Sequence, residues 1–222
     1  MISAARIVAS PLLALLPFIP SVTVRAFAFV LYLVTAISDH VDGSIARSRG
    51  LITDLGKMLD PLADKLLLAG TFVPMFLLQA PPGDPLLAFL PAIAEQSQYP
   101  FVTWGVSAIY FPWWILVPIV AREVFMTWFR TLAQRRGVVI AAQPLGKWKA
   151  GFQYTWMGAS FCWFGFALAI REYDWVGGPI SSFLAFLLGG IGFIAMHVAL
   201  ALTLISLGDY LIRHRAVFTR AR

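Results

Sequence analysis

Four aspartates, Asp39, Asp42, Asp60 and Asp64, stand in a stretch of this 222-residue chain that is otherwise apolar enough for a lipid interior. An ionised carboxylate is costly at membrane depth. Several together repel one another and take up protons. A bound divalent cation turns that repulsion into coordination. All-oxygen donors suit Mg²⁺ or Mn²⁺, and four carboxylates can hold two ions a few ångströms apart. The expectation is a metal site in or just beneath a membrane interface. Asp54 falls in the intervening turn and reads as a helix cap.

Two helices must position these groups. Asp39 and Asp42, three residues apart, project from one helical face, and Gly43 and Ala46 continue it with small residues that leave room for a flat or bulky ligand. Arg47 ends the row with a positive charge. On the next helix Gly56, Asp60 and Asp64 recur every fourth residue, and Pro61 removes a backbone hydrogen bond between them. A tight turn makes the helices antiparallel neighbours, so that the two stripes face each other and close a four-carboxylate cage. The competing reading is a structural network of caps and ion pairs with Lys57, Lys65 or nearby arginines. Four aspartates on matching faces, flanked by small residues, weigh against it.

The rest of the composition says where such helices reside. Hydrophobic residues make up 59% of the chain, charged residues only 13%, and the mean hydropathy is +0.79. A soluble domain carries about twice that charged fraction. Long, largely apolar runs at 26–37, 66–78 and 182–207 exceed what an amphipathic soluble helix allows. The fold expected is all-α and polytopic, a single domain over residues 1–222, with six spans near 5–20, 25–48, 55–79, 108–136, 146–170 and 179–212. The first apolar run is broken by Pro11, Pro17 and Pro20 and lacks a small-x-small cleavage site, so it reads as a retained helix. The connection at 80–110 is rich in proline, with Tyr99, Trp104, Tyr110, Trp113 and Trp114 as an interfacial aromatic belt.

With six spans, Arg6, Arg47, Arg49, Arg135, Arg136, Lys147, Lys149 and the basic tail fall on one side, and only Arg25 and Arg171 on the other. The positive-inside rule then places both termini and the aspartate turn in the cytoplasm. A pI near 9.8 suits an anionic lipid surface. Nucleic acid is disfavoured as a partner, because the basic residues flank spans rather than form a soluble face. The single Cys162 excludes an internal disulfide and reads as a small core residue.

From Asp39 onward the chain reads D-x2-D-G-x2-A-R-x8-G-x3-D-x3-D, ending at Asp64. This resembles the signature of the CDP-alcohol phosphatidyltransferase family, with every fixed position and spacing present. The resemblance implies an integral enzyme of a bacterial inner or plasma membrane, its site facing the cytoplasm, in which an alcohol attacks a CDP-linked lipid and CMP leaves. It implies that Asp39, Asp42, Asp60 and Asp64 hold Mg²⁺ or Mn²⁺, two ions in all, and that Asp64 also acts as general base. Gly43, Ala46, Arg47 and Gly56 would receive the CDP-lipid. Dimers are common in that family, which makes a homodimer an expectation.

The acceptor is argued from elsewhere. Arg122 lies well inside the fourth apolar segment, where an unpaired charge is expensive, so it must line a polar cavity or meet a carboxylate such as Glu123 or one of the four signature aspartates. With Arg130, Lys147 and Lys149 it can form an anion-binding pocket for an acceptor that carries its own phosphate. The alternative is that these cations are interfacial anchors. The stretch from Leu59 to Lys65, the Ala121-Arg122-Glu123 opening and Gly146-Lys147-Trp148-Lys149 resemble the phosphatidylglycerophosphate synthase branch. That branch implies CDP-diacylglycerol as donor and sn-glycerol 3-phosphate as acceptor. Rival readings are the same chemistry with inositol phosphate, serine or phosphatidylglycerol as acceptor, or a divalent-cation transporter. His40 reads as a packing or interfacial residue, and His197 as a buried, hydrogen-bonded neutral histidine.

Overall fold

Prolines set where several of the helices begin and end. In the computed structural model the backbone is described for residues 2–49, 54–90, 99–102, 108–135 and 144–213, and side chains for the same residues except 2–4, 39–49, 54–61 and 144. Among the described residues there are six α-helices: α1 (Ile2–Leu15), α2 (Val22–Arg49), α3 (Asp54–Gln79), α4 (Trp113–Arg135), α5 (Pro144–Glu172) and α6 (Pro179–Arg213). Pro17 sits in a 3₁₀ turn, Leu16–Phe18, that ends the first segment. Pro144 and Pro179 open α5 and α6, where a missing N–H is no loss.

The six expected segments match these helices closely, except at the start of the fourth. Residues 108–109 pair instead with 101–102 as a two-stranded antiparallel ladder, Phe101 opposite Ile109. The helix waits until Trp113, whose N–H donates to Asp84 Oδ2 at 3.0 Å. That short ladder was invisible in a turn-rich, aromatic stretch with no alternation to betray it.

Long-range contacts fix the helix directions. Arg6 on α1 meets Asp64 on α3, and six residues further along α3 a Cβ on Gly70 would overlap the carbonyl oxygen of Ser10. The two helices therefore run parallel and touch at a glycine. Arg25 and Tyr32 on α2 donate to the carbonyls of Phe164 (3.1 Å) and Tyr154 (2.6 Å) on α5, so that pair is antiparallel. At the end of the bundle where α2 begins, Tyr99 lies under the guanidinium of Arg25 at 4.2 Å and of Arg171 at 5.2 Å. These are the two arginines that sequence reading set apart from the basic side. Next to that end, Val102 and Phe101 pack where a Cβ on Gly189 or Gly192 would collide with them.

The interior is aromatic. Trp156 is fully buried, with Phe111 at 4.5 Å and Phe72 at 5.2 Å between ring centroids, while Tyr32 stacks on Phe161. The outside is apolar as well. Val8, Val34, Ile37, Val124, Ile180, Phe183 and Ile212 are all exposed, an array that water does not tolerate on a monomer. Among the described residues two helical stretches, Leu62–Gln79 and Pro179–Arg213, are long and apolar enough to cross a membrane, and Ala5–Phe18 and Val22–Ser38 are shorter apolar segments. Cys162 is half-buried. His197 is half-buried rather than buried, and its Nδ1 lies 2.9 Å from the Phe193 carbonyl oxygen.

Candidate active site

The aspartate signature lies on the C-terminal part of α2 and the N-terminal part of α3. Both helices are continuous through its positions, so Asp39 and Asp42 are one turn apart on α2, and Asp60 and Asp64 one turn apart on α3. The side chains of Asp39, Asp42, Arg47 and Asp60, and the surroundings of Gly43, Ala46 and Gly56, lie outside the described residues, as do the turn at 50–53 and His40. Asp64 is described. One of its oxygens accepts a hydrogen bond from Arg6 Nη1 at 2.7 Å; the Arg6 side chain is 8% exposed and that of Asp64 63%. The sequence counts Arg6 only among the cations of the basic side, and the fold buries it against Asp64 of the signature. The signal was present in principle: Arg6 is the one charge in the first apolar segment, and a charge there needs a partner.

A second charged cluster joins α4, α5 and α6. Glu123 Oε1 accepts from Arg122 Nη1 at 3.0 Å and from the ammonium of Lys149. Arg122 Nη2 is 3.4 Å from Ser206 Oγ on α6, and Ser206 in turn donates to the Thr203 carbonyl. Arg122 and Lys149 are buried and Glu123 is 32% exposed. Lys149 is thus not a solvated anchor but a buried cation with a carboxylate partner. Arg122 does both things its depth demanded, meeting Glu123 and lining a cavity.

That cavity, of about 590 Å³, brings the two clusters together. Asp64 opens onto it, and so do Arg122, Arg130, Lys147 and Lys149, every cation singled out for the acceptor. Arg130 and Lys147 are exposed at its mouth, and Arg122 and Lys149 are buried in its wall. With Lys65, five cationic side chains among the described residues line it against two carboxylates, Asp64 and Glu123. Met157 lines its deep end, and beyond Met157 on α5 come the packed Ser160, Phe161 and Phe164. A separate groove of about 680 Å³, walled almost entirely by apolar side chains of α3 and α4, shares Lys65, Leu68, Glu123 and Thr127 with the cavity. A polar chamber and an apolar slot therefore meet along one edge.

The residues that are described suit a hard divalent cation. Asp64, held by Arg6, presents a solvent-exposed carboxylate at the cavity, and hard oxygen donors are what Mg²⁺ and Mn²⁺ prefer. Among the described residues no group of three or more acidic, histidine or cysteine ligands is assembled, because three of the four aspartates lie outside that set.

Comparison with known proteins bears on the same residues. The sequence profile of the CDP-alcohol phosphatidyltransferases matches residues 1–207. Similar proteins include the CDP-diacylglycerol–glycerol-3-phosphate 3-phosphatidyltransferase of Mycoplasma pneumoniae, 27% identical over 82% of this chain and 63% of that protein. The enzyme of the same name from Bacillus subtilis is 29% identical over 56% of this chain and 49% of its own length. A third, CDP-diacylglycerol–glycerol-3-phosphate 3-phosphatidyltransferase 2 of Arabidopsis thaliana, is 30% identical over 67% of this chain and 57% of that protein. The chain spans about half to just under two thirds of the length of these relatives. With the signature intact from Asp39 to Asp64 and the profile matched from end to near end, the chain belongs to the CDP-alcohol phosphatidyltransferase family.

Proposed function

We propose that this protein transfers the phosphatidyl group of CDP-diacylglycerol to sn-glycerol 3-phosphate, releasing CMP and forming phosphatidylglycerol phosphate. One observation carries the reading: Asp64 opens onto the same cavity as Arg122, Arg130, Lys147 and Lys149. Five cations against two carboxylates favour an acceptor with more than one negative charge, as a phosphate monoester has. The names of the similar proteins support glycerol 3-phosphate as that acceptor.

In this reading the acceptor phosphate sits among Arg130, Lys147, Lys149 and Arg122, and its free hydroxyl is turned toward Asp64. The hydroxyl proton passes to Asp64 as the oxygen attacks the lipid-side phosphorus. The bond from that phosphorus to the bridging oxygen breaks, and CMP leaves with the electron pair. Arg6 orients the Asp64 carboxylate throughout. Asp39, Asp42, Asp60 and Asp64 would hold one or two Mg²⁺ or Mn²⁺ ions, which when bound supply charge neutralisation at the pyrophosphate. Gly43, Ala46 and Gly56 would leave room for the cytidine nucleotide, and Arg47 would pair with its phosphate.

A lipid donor needs an opening toward the bilayer, and the apolar slot beside the cavity offers an acyl chain a place to lie. The exposed apolar helix faces support embedding of all six helices in the membrane. The cationic cavity mouth supports a cytoplasmic site with both termini on that side. A homodimer belongs to the same proposal, and sizing in detergent tests it.

The experiment is CMP release by purified protein in liposomes with CDP-diacylglycerol and glycerol 3-phosphate, inositol phosphate, serine or phosphatidylglycerol, each with Mg²⁺ or EDTA. Turnover with glycerol 3-phosphate, lost in EDTA and in Asp64→Asn, is expected. Turnover with a different acceptor alone refutes the substrate, and no CMP from any acceptor refutes the reaction.

A further inference from the structure

Gln153 has no part in the scheme above, yet its position demands a partner. It lies one turn beyond Lys149 on α5, about 6 Å deeper along the helix at 1.5 Å per residue. It lines the same cavity and is 5% exposed. Its Nε2 is buried and has no hydrogen-bond partner among the described residues. A buried donor without a partner is destabilising, and buried side-chain amides are nearly always paired. The neighbouring Arg122 also keeps a buried Nε without a partner. Two unpaired donors on one cavity wall mark a place where a ligand completes the hydrogen bonding.

The charges divide the labour. Arg130, Lys147 and Lys149 stand nearer the mouth and suit the dianionic phosphate, whereas Gln153 is neutral and stands deeper. A neutral amide adds little to the binding of a charge, but it discriminates between a hydroxyl and its absence, because the amide goes unpaired when the hydroxyl is missing. A hydroxyl both donates and accepts, so it satisfies either orientation of the amide. Resting on the function proposed above, we infer that Gln153 is a specificity residue that hydrogen-bonds the non-attacking hydroxyl of the polyol-phosphate acceptor, so that the site reads the middle hydroxyl of glycerol 3-phosphate.

The test compares kcat/KM for glycerol 3-phosphate and for 1,3-propanediol monophosphate, which lacks that hydroxyl, in the wild type, Gln153→Leu and Gln153→Met. The wild type should prefer glycerol 3-phosphate by about ten- to a hundredfold, the worth of one buried hydrogen bond. Both variants should lose that preference by falling on glycerol 3-phosphate while staying within about twofold of the wild type on the propanediol ester. Their melting temperatures without ligand should not drop, because the amide donor they remove is unpaired. Equal loss on both acceptors, an unchanged preference, or a clear fall in ligand-free melting temperature in both variants overturns the inference. Wild-type turnover with an unchanged preference in the variants leaves the proposed reaction standing. No turnover of either acceptor by the wild type overturns both.

Discussion

Glu123 neutralises two buried cations with one carboxylate oxygen, and its replacement by glutamine tests whether that arrangement holds α4 to α5. Glutamine keeps the shape and one acceptor oxygen but removes the charge shared by Arg122 and Lys149. Removing one partner of a buried ion pair typically costs about 3–5 kcal/mol, because the other charge is stranded. Glu123 is 32% exposed, so solvent screens part of the loss, and about 2–3 kcal/mol is expected. For a chain of this size that corresponds to a fall in melting temperature of roughly 4–12 °C. Thermal unfolding in detergent, followed by tryptophan fluorescence, measures it. Lys149→Met should be destabilising on its own, and the double variant should be less destabilised than the two single effects added, by about 1–2 kcal/mol. Millimolar inorganic phosphate should raise the melting temperature of Glu123→Gln more than that of the wild type, since an anion in the cavity replaces the lost charge. Strict additivity, or a Glu123→Gln variant that melts with the wild type, refutes the reasoning.

Gly70→Ala forces a Cβ into the backbone of Ser10, so α1 and α3 must separate, and a loss of about 1–3 kcal/mol is expected in the same melt; Gly190→Ala, with nothing near its Cβ, should be neutral or stabilising. Arg6→Lys should retain more CMP release than Arg6→Gln, because lysine keeps a charge for Asp64; equal activity in the two variants refutes a role for that charge. Arg130→Gln should raise KM for glycerol 3-phosphate by about tenfold, the value of a charge-assisted hydrogen bond, while Arg135→Gln, which does not line the cavity, should leave it unchanged. Comparable KM effects from the two arginines refute the placement of the phosphate.

Local patterns in the sequence carried the helices and the aspartate spacing, because helical periodicity and turn chemistry act over a few residues. The depth of Arg122 was enough to demand a cavity or a carboxylate, and it found both. What escaped was decided between helices far apart in the chain. Nothing near Arg6 names Asp64 as its partner, since that depends on the parallel approach of α1 and α3 at Gly70. Lys149 resembles any lysine at the start of a span until α4 brings Glu123 against it. Gln153 is an ordinary polar residue in its segment, and only its burial beside the cavity makes it conspicuous. The two-residue strands at 101–102 and 108–109 are too short to leave an alternation.

The aromatic packing beyond Met157 also bears on sidedness. Ser160, Phe161 and Phe164 are buried where α5 continues past Met157, and at the far end Tyr99 is clasped by Arg25 and Arg171. Among the described residues the chamber meets packed side chains in that direction, while cations line it and the apolar slot adjoins it along one edge. On the function proposed above, a water-soluble reactant would enter and leave among the cations, while a lipid product would leave along the slot. On that reading the polar and the oily reactants arrive by separate routes and meet at the edge the two compartments share.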